Sequence, residues 1–231
     1  MNRTVAKFIR PVLALGLAVG LSACASVDRV SSNPSAVSAT LAAPLTDSFG
    51  TVERSVAPAS FKSYNVTAVN VQVPTTLKVS EANRFYPGGD IVWREDPIGD
   101  RYAQVKAIIT AGLEQGVSNV QGERDVVLDV VLTRFHALTE KARYTVGGVH
   151  SIQFTVQIRD AATGEILEGP RFVKADFDAL GGNAAVAAEA RGLTQKVRIT
   201  QQLAYVIQQE LTTENGYVAQ ELGFMGALNQ L

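Results

Sequence analysis

Few side chains in this sequence can do chemistry, and the two histidines are the first to place. His136 and His150 are the only imidazoles in the chain. His136 continues the parity of Val126, Leu128, Val130 and Leu132, and His150 shares the parity of Ile152, Phe154, Val156 and Ile158. Alternation therefore puts each on the apolar face of a strand. If the turn between these strands centres on Arg143, Leu128 faces Ile158, Leu132 faces Phe154, and His136 faces His150 at the open end of the hairpin. Three chemistries compete for such a pair. A metal site needs three or four ligands, and neither a cysteine nor a His-x-His lies nearby to complete one. A polar rim where the core face ends needs no ligand and is the preferred reading. A pH-sensitive pair or ligand pocket is the third, since close imidazoles resist simultaneous protonation.

A second cluster surrounds the single tryptophan. Trp93, Arg94, Glu95, Asp96, Asp100 and Arg101 fall within or just after the turn-rich stretch 80–99. A large aromatic among paired charges suits an interface anchor. It suits equally a loop pinned by Trp93 and tied by Asp–Arg hydrogen bonds, and both readings stand. Glu140 to Tyr144, with Arg143, reads as a solvated hairpin tip. The candidate binding residues are thus Trp93, Arg94, Asp96, Arg101, Arg134, His136, Arg143 and His150. No catalytic set can be assembled: the chain lacks a Gly-x-Ser-x-Gly elbow, a phosphate loop, a His-Glu-x-x-His and a dinucleotide fingerprint. Ser151 points to the opposite face of its strand from His150, so the two cannot act as nucleophile and base. The expectation is a protein that is not an enzyme and takes no cofactor or metal.

The remaining reactive residue is Cys24, the only cysteine. Arg3, Lys7 and Arg10 precede an apolar run of about ten residues, too short to span a bilayer, which needs about twenty. The run ends in Leu21, Ser22, Ala23 and Cys24. That box resembles the bacterial lipoprotein signal. The resemblance implies cleavage before Cys24, a diacylglyceryl group on its sulfur and acylation of the new amine, including a palmitate-type chain, which anchors the protein to a membrane without spanning it. By resemblance to the enterobacterial sorting rule, Ala25 at the following position favours the outer over the inner membrane. Loss of residues 1–23 leaves 18 basic against 22 acidic residues, a net of −4. That sign argues against nucleic acid as a partner. With Cys24 acylated no thiol remains for a disulfide, so the fold must stand on its core.

The elements that position these residues follow from periodicity. Residues 24–60, rich in Ser, Ala, Thr and Pro, hold no period and read as a flexible tether. Residues 61–213 read as one domain, and 214–231 as a weakly ordered tail. Tyr64 to Val73 is a strand with a one-residue change of phase. Asp100 caps a helix whose stripe is Tyr102, Val105, Ile108, Ile109, Leu113 and Val117. Strands follow at 126–136, 149–159 and 172–177, then a short alanine-rich helix at 183–191 and a longer one at 194–211. A helix between the first two strands implies a parallel pair, and the hairpins add antiparallel strands. The fold class is therefore α+β: a mixed four- to five-stranded sheet in β-α-β-β-β-α order, with helices on one face and the other open.

Four segments, Trp93 to Arg101, Arg134 to Tyr144, Gly148 to His150 and Leu193 to Thr200, together resemble an uncharacterised family of lipoproteins of Gram-negative bacteria. The resemblance covers about residues 64–207 and brings no assigned activity or site residues. It implies only a lipid-anchored protein of the cell envelope that faces the periplasm; with no enzymatic motif in the chain, the expectation is that it acts by binding. The expected partners are membrane lipid, through Cys24, and an envelope protein for which the chain is an accessory or assembly adaptor. The alternative is a carrier or sensor of a small apolar or lipidic ligand; a hydrolase ranks third.

Overall fold

The computed structural model of the chain describes residues 62–222. The signal segment, Cys24, the tether and residues 223–231 lie outside the described residues. The described chain runs β1 (Tyr64–Gln72), β2 (Ile91–Val92), α1 (Arg101–Val117), β3 (Arg124–His136), α2 (Glu140–Arg143), β4 (Gly148–Asp160), β5 (Ile166–Lys174), β6 (Phe177–Ala179), α3 (Gly182–Glu189) and α4 (Gln195–Thr212). The sheet is open and mixed, in the order β1-β3-β4-β5, with β2 paired to β3 and β6 to β4. The α+β class holds, and the two short strands bring the number to six. β1 runs parallel to β3, as the intervening helix requires. The change of phase in β1 is a bulge between Val66 and Ala68.

Asp100 caps α1, its side chain accepting from the Ala103 amide at 3.1 Å. The stripe Val105, Ile108, Ile109 and Leu113 is buried against the sheet together with Ile199, Leu203, Val206, Ile207 and Leu211 of α4. The other face of the sheet mixes polar bonds with exposed apolar side chains, Ile166 and Phe172 of β5 among them. Asn70 donates to Asp129 at 2.9 Å, and Asp129 pairs with Arg159 through two guanidinium nitrogens, Nε and Nη2.

β3 is longer than its neighbour β1 and carries the sheet to its far end. Its antiparallel register with β4 sets Leu128 opposite Ile158 and Leu132 opposite Phe154. A bulge between Leu132 and Arg134 then advances β3 by one residue, so that His136 lies opposite Ser151. The expected His136–His150 pairing is therefore corrected. The connection is also no simple turn, since Thr139 caps α2 by accepting from the Ala142 amide. At the opposite end the chain enters: the Arg124 amide donates to Ser63 O at 3.0 Å, and Lys62 pairs with Glu168 at 2.8 Å. The first residues after α4 pack on the domain. Glu210 accepts from the Tyr217 amide at 2.8 Å, Arg171 donates to Tyr217 O at 2.6 Å, and Tyr217 is buried.

The helix pair is held close by small residues. A Cβ built on Gly116 would stand 2.3 Å from Ala204 O and 2.4 Å from Ile207 Cγ2, and one on Gly112 would stand 2.7 Å from Leu203 Cβ. Such separations force the helices apart. Gly116→Ala should lower stability by about 1–3 kcal/mol, read as the urea midpoint. Gly88→Ala, where a Cβ meets nothing within 4 Å, should leave that midpoint nearly unchanged.

Candidate functional site

The predicted site residues gather at the end of the sheet where β3 finishes and β4 begins. The chain between β1 and α1 folds over this end. Its β2 pairs parallel with β3, Ile91 with Phe135 and Val92 with His136. Trp93 follows directly and is wholly buried, edge-on to Phe135 at 5.9 Å between ring centroids. Its indole N–H donates to Asp96 at 2.8 Å. Of the two readings left open for this loop, the pinned one is the structure found: Trp93 belongs to the core, because β2 carries the ring over the sheet beside apolar neighbours.

The charges around it are paired with one another. Glu95 accepts from Arg143 Nη1 at 2.8 Å and from the amides of Gln195 and Lys196 at 3.0 and 3.3 Å. Those amides open α4, where helical N–H groups have no partner within the helix and the dipole favours an anion. Arg143 also faces Glu189 at 3.0 Å. Arg94 donates to Glu140 at 2.6 Å. Arg101, 4% exposed although the stripe left it outside, reaches Glu81 at 2.6 Å and the carbonyls of Asp96 and Pro97 at 3.1 Å. Asp96 closes the set by pairing with Lys196. The Arg101 hydrogen bond holds Glu81 below the usual carboxylate range. Burial alone would raise Asp96, but hydrogen bonds from Lys196 and Trp93 bring it lower. Arg94, Asp96, Arg101 and Arg143 thus form an internal network, and the segment 140–144 is solvated on one side only: Ala142 is 3% exposed and Arg143 is tied inward, while Lys141 and Tyr144 stay exposed.

The histidines part company because of the bulge. Phe135 pairs with Ile152 on the core face, so His136 shares the other face with Ser151. His136 Nε2 lies 2.7 Å from Gly89 O and Nδ1 lies 3.0 Å from Arg134 Nη2. A carbonyl only accepts and a guanidinium only donates, so the neutral Nε2–H tautomer satisfies both. Burial, aided by Arg134, pushes its pKa down to about 4. His150 keeps the face of Ile152, 1% exposed, with its ring 4.9 Å from that of Phe177. Neither of its ring nitrogens has a hydrogen-bond partner. Burial, then Arg198 and Arg143, lower it to about 3. The cavity beside it, about 10 Å³, holds at most about one water. Among the described residues no group of three or more His, Cys, Asp or Glu side chains comes together.

Sequence reasoning missed an apolar groove. Phe85, Tyr86, Leu138, Ala142, Val146, Gly147, Gly148 and Val149 line an apolar groove of about 410 Å³ at this same end. Three of its residues, Phe85, Tyr86 and Val146, are exposed, with Tyr86 at 64% and Val146 at 66%. Gly147, at φ +75°, keeps the chain close to Gly181, whose amide a Cβ would approach to 2.9 Å. The adjacent aromatics at 85–86 in a Pro-Gly turn were the one available signal, because loop residues carry no period to show which way they face.

Two outcomes follow for this end. Glu95→Gln removes the charge at the start of α4 and one of the two carboxylates beside Arg143, leaving Glu189, and should cost about 1–2 kcal/mol in urea unfolding. An imidazole that titrates near 6.5 when unfolded and near 3 when folded binds more protons in the unfolded state between those values. His150 therefore contributes full stability above about pH 6.5 and loses up to about 1.4 kcal/mol per pH unit below it. His150→Leu should flatten the fall in stability between pH 6.5 and 5, as followed by thermal unfolding across that range.

Residues 64–227 match the family described as a family of unknown function, DUF6778. No curated protein matches the chain. Among solved structures, a Caulobacter crescentus protein described as a candidate lipoprotein is 18% identical, over 46% of this chain and 80% of that one, with a TM-score of 0.25. A Xanthomonas campestris protein of the DUF330 family is 8% identical, over 67% of this chain and 88% of that one, with a TM-score of 0.38. Neither likeness is close enough to carry an argument about this chain. The family match spans the whole sheet and both long helices, and the chain belongs to the DUF6778 family of unknown function.

Proposed function

We propose that this protein is an envelope lipoprotein, anchored through acylated Cys24 and facing the periplasm, that acts by binding as an accessory or assembly adaptor of an envelope complex. One observation carries the reading: the chain enters the domain beside Arg124, and the apolar groove lies at the other end of β3. Thirteen residues of strand put roughly 40 Å between them. A chain entry at one end and an apolar surface at the other suit a domain that is tethered from one side and engages a protein on the other. Tethering confines such a domain near its target and raises the effective concentration without new contacts. The polar network beside the groove fits a supporting role, since its charges face each other.

A second reading has its own support. A groove of about 410 Å³ falls in the range of small-molecule sites, which suits a carrier of a small apolar ligand. In-cell photo-crosslinking from probes at Tyr86 and Val146, with a control probe at Phe172 of β5, separates the two. The adaptor reading expects one envelope protein joined at both groove positions and absent from Phe172. Lipid or small-molecule adducts at the groove, without protein, would replace it with the carrier.

A further inference from the structure

The rim of the groove has a charge that its floor does not. Lys141 Nζ stands 4.8 Å from the centroid of the Phe85 ring, which lines the groove. Arg84 precedes Phe85 and is held at the same place, its carbonyl accepting from the Thr139 hydroxyl at 2.8 Å. The Lys141 amide in turn donates to Asn83 at 2.9 Å. The two cations are therefore fixed beside the groove through backbone bonds, with their head groups exposed. Their surroundings contrast with the rest of this end. Arg94, Arg101, Arg143 and Lys196 each have a carboxylate within 3.4 Å. No ion pair is formed by Arg84 or Lys141 among the described residues, although both lie a few positions from acids that pair elsewhere.

We propose that the groove holds a segment of a partner protein that offers one or two large apolar side chains with an acidic side chain next to them, the acid lying on the Arg84 and Lys141 side. The inference rests on the adaptor reading and adds the chemistry of its partner. Apolar side chains enter between Phe85, Leu138, Ala142, Val146 and Val149, where burial drives association. The acid meets two cations that form no ion pair among the described residues, so the segment has one favoured direction. Rim charges of this kind select partners and speed encounter more than they add affinity. A half-open groove edged by the exposed Phe85, Tyr86 and Val146 is shaped for a surface that continues beyond it, which favours a protein segment over an enclosed acyl chain.

The test is selection of a displayed library of random twelve-residue peptides against the full chain in detergent. The expected result is enrichment of peptides with paired large apolar residues and an Asp or Glu within a few positions. Val146→Asp should weaken their binding at least tenfold. The double variant Arg84→Glu, Lys141→Glu should abolish the preference for acids or turn it toward Lys and Arg, while Phe172→Asp on β5 leaves binding unchanged. Enrichment without an acidic preference, binding that survives Val146→Asp, or no enrichment overturns the proposal. A protein adduct at Val146 in cells together with a charge-blind library would sink this inference and leave the adaptor reading standing. Lipid adducts alone in cells would sink both.

Discussion

The far end of this domain depends on where one carboxylate sits. Glu95 lies across the first turn of α4 and accepts from two of its amides while it also meets Arg143 of α2. The helix terminus leaves those amides without partners of its own, and a half-buried anion is the group that electrostatics favours there. One side chain thereby joins three segments distant in sequence: the loop after β2, the connection between β3 and β4, and the last long helix. Trp93, two residues earlier, is held in the core by the same arrangement.

What that knot leaves outside is as informative as what it ties. The loop over the sheet end is anchored at Trp93 and by Arg94 and Arg101 through Glu81, so the intervening residues 83–88 project beside α2 in a fixed place. Phe85 and Tyr86 stay exposed there because the core below is already filled by Trp93, Phe135 and Ile91. The groove is therefore a consequence of a well-packed end, and its aromatic wall is positioned by ion pairs rather than by burial. At the opposite end Lys62, Glu168, Arg171 and Glu210 pair among themselves and bring the chain in beside β3. The domain has two ends of different character, one where the chain enters and one that presents apolar surface.

Much of this was legible from residue pattern. The β1 phase change, the Asp100 cap, the α1 stripe, the parallel pair and the register from Leu128 to Leu132 all follow from period and turn chemistry. The register failed at a single residue. Thr133 sits unpaired in the bulge between Leu132 and Arg134, and nothing in the local sequence marks it, since a bulge is settled by where the next strand segment and the loop above must pack. That one residue separates His136 from His150, and with them the most specific site hypothesis the sequence offered. Arg101 and Trp93 were legible as a cluster, but the choice between an interface anchor and a pinned loop was not, because burial was imposed by β2, a strand of two residues too short to show alternation. The groove was illegible for a related reason: its walls come from loops and connections brought together only in the fold.

The central claim is that the groove end is covered by a partner in the envelope while the chain's other surfaces are not. Cys24 is the only cysteine, and in the acylated protein it is blocked, so single cysteines introduced elsewhere report alone. Maleimide labelling of Tyr86→Cys, Val146→Cys, Phe172→Cys and Val218→Cys would be compared between intact envelopes and the purified full chain. The account predicts that the first two label at least tenfold more slowly in the envelope, and the other two at the same rate in both. Equal labelling of all four in both settings would contradict it.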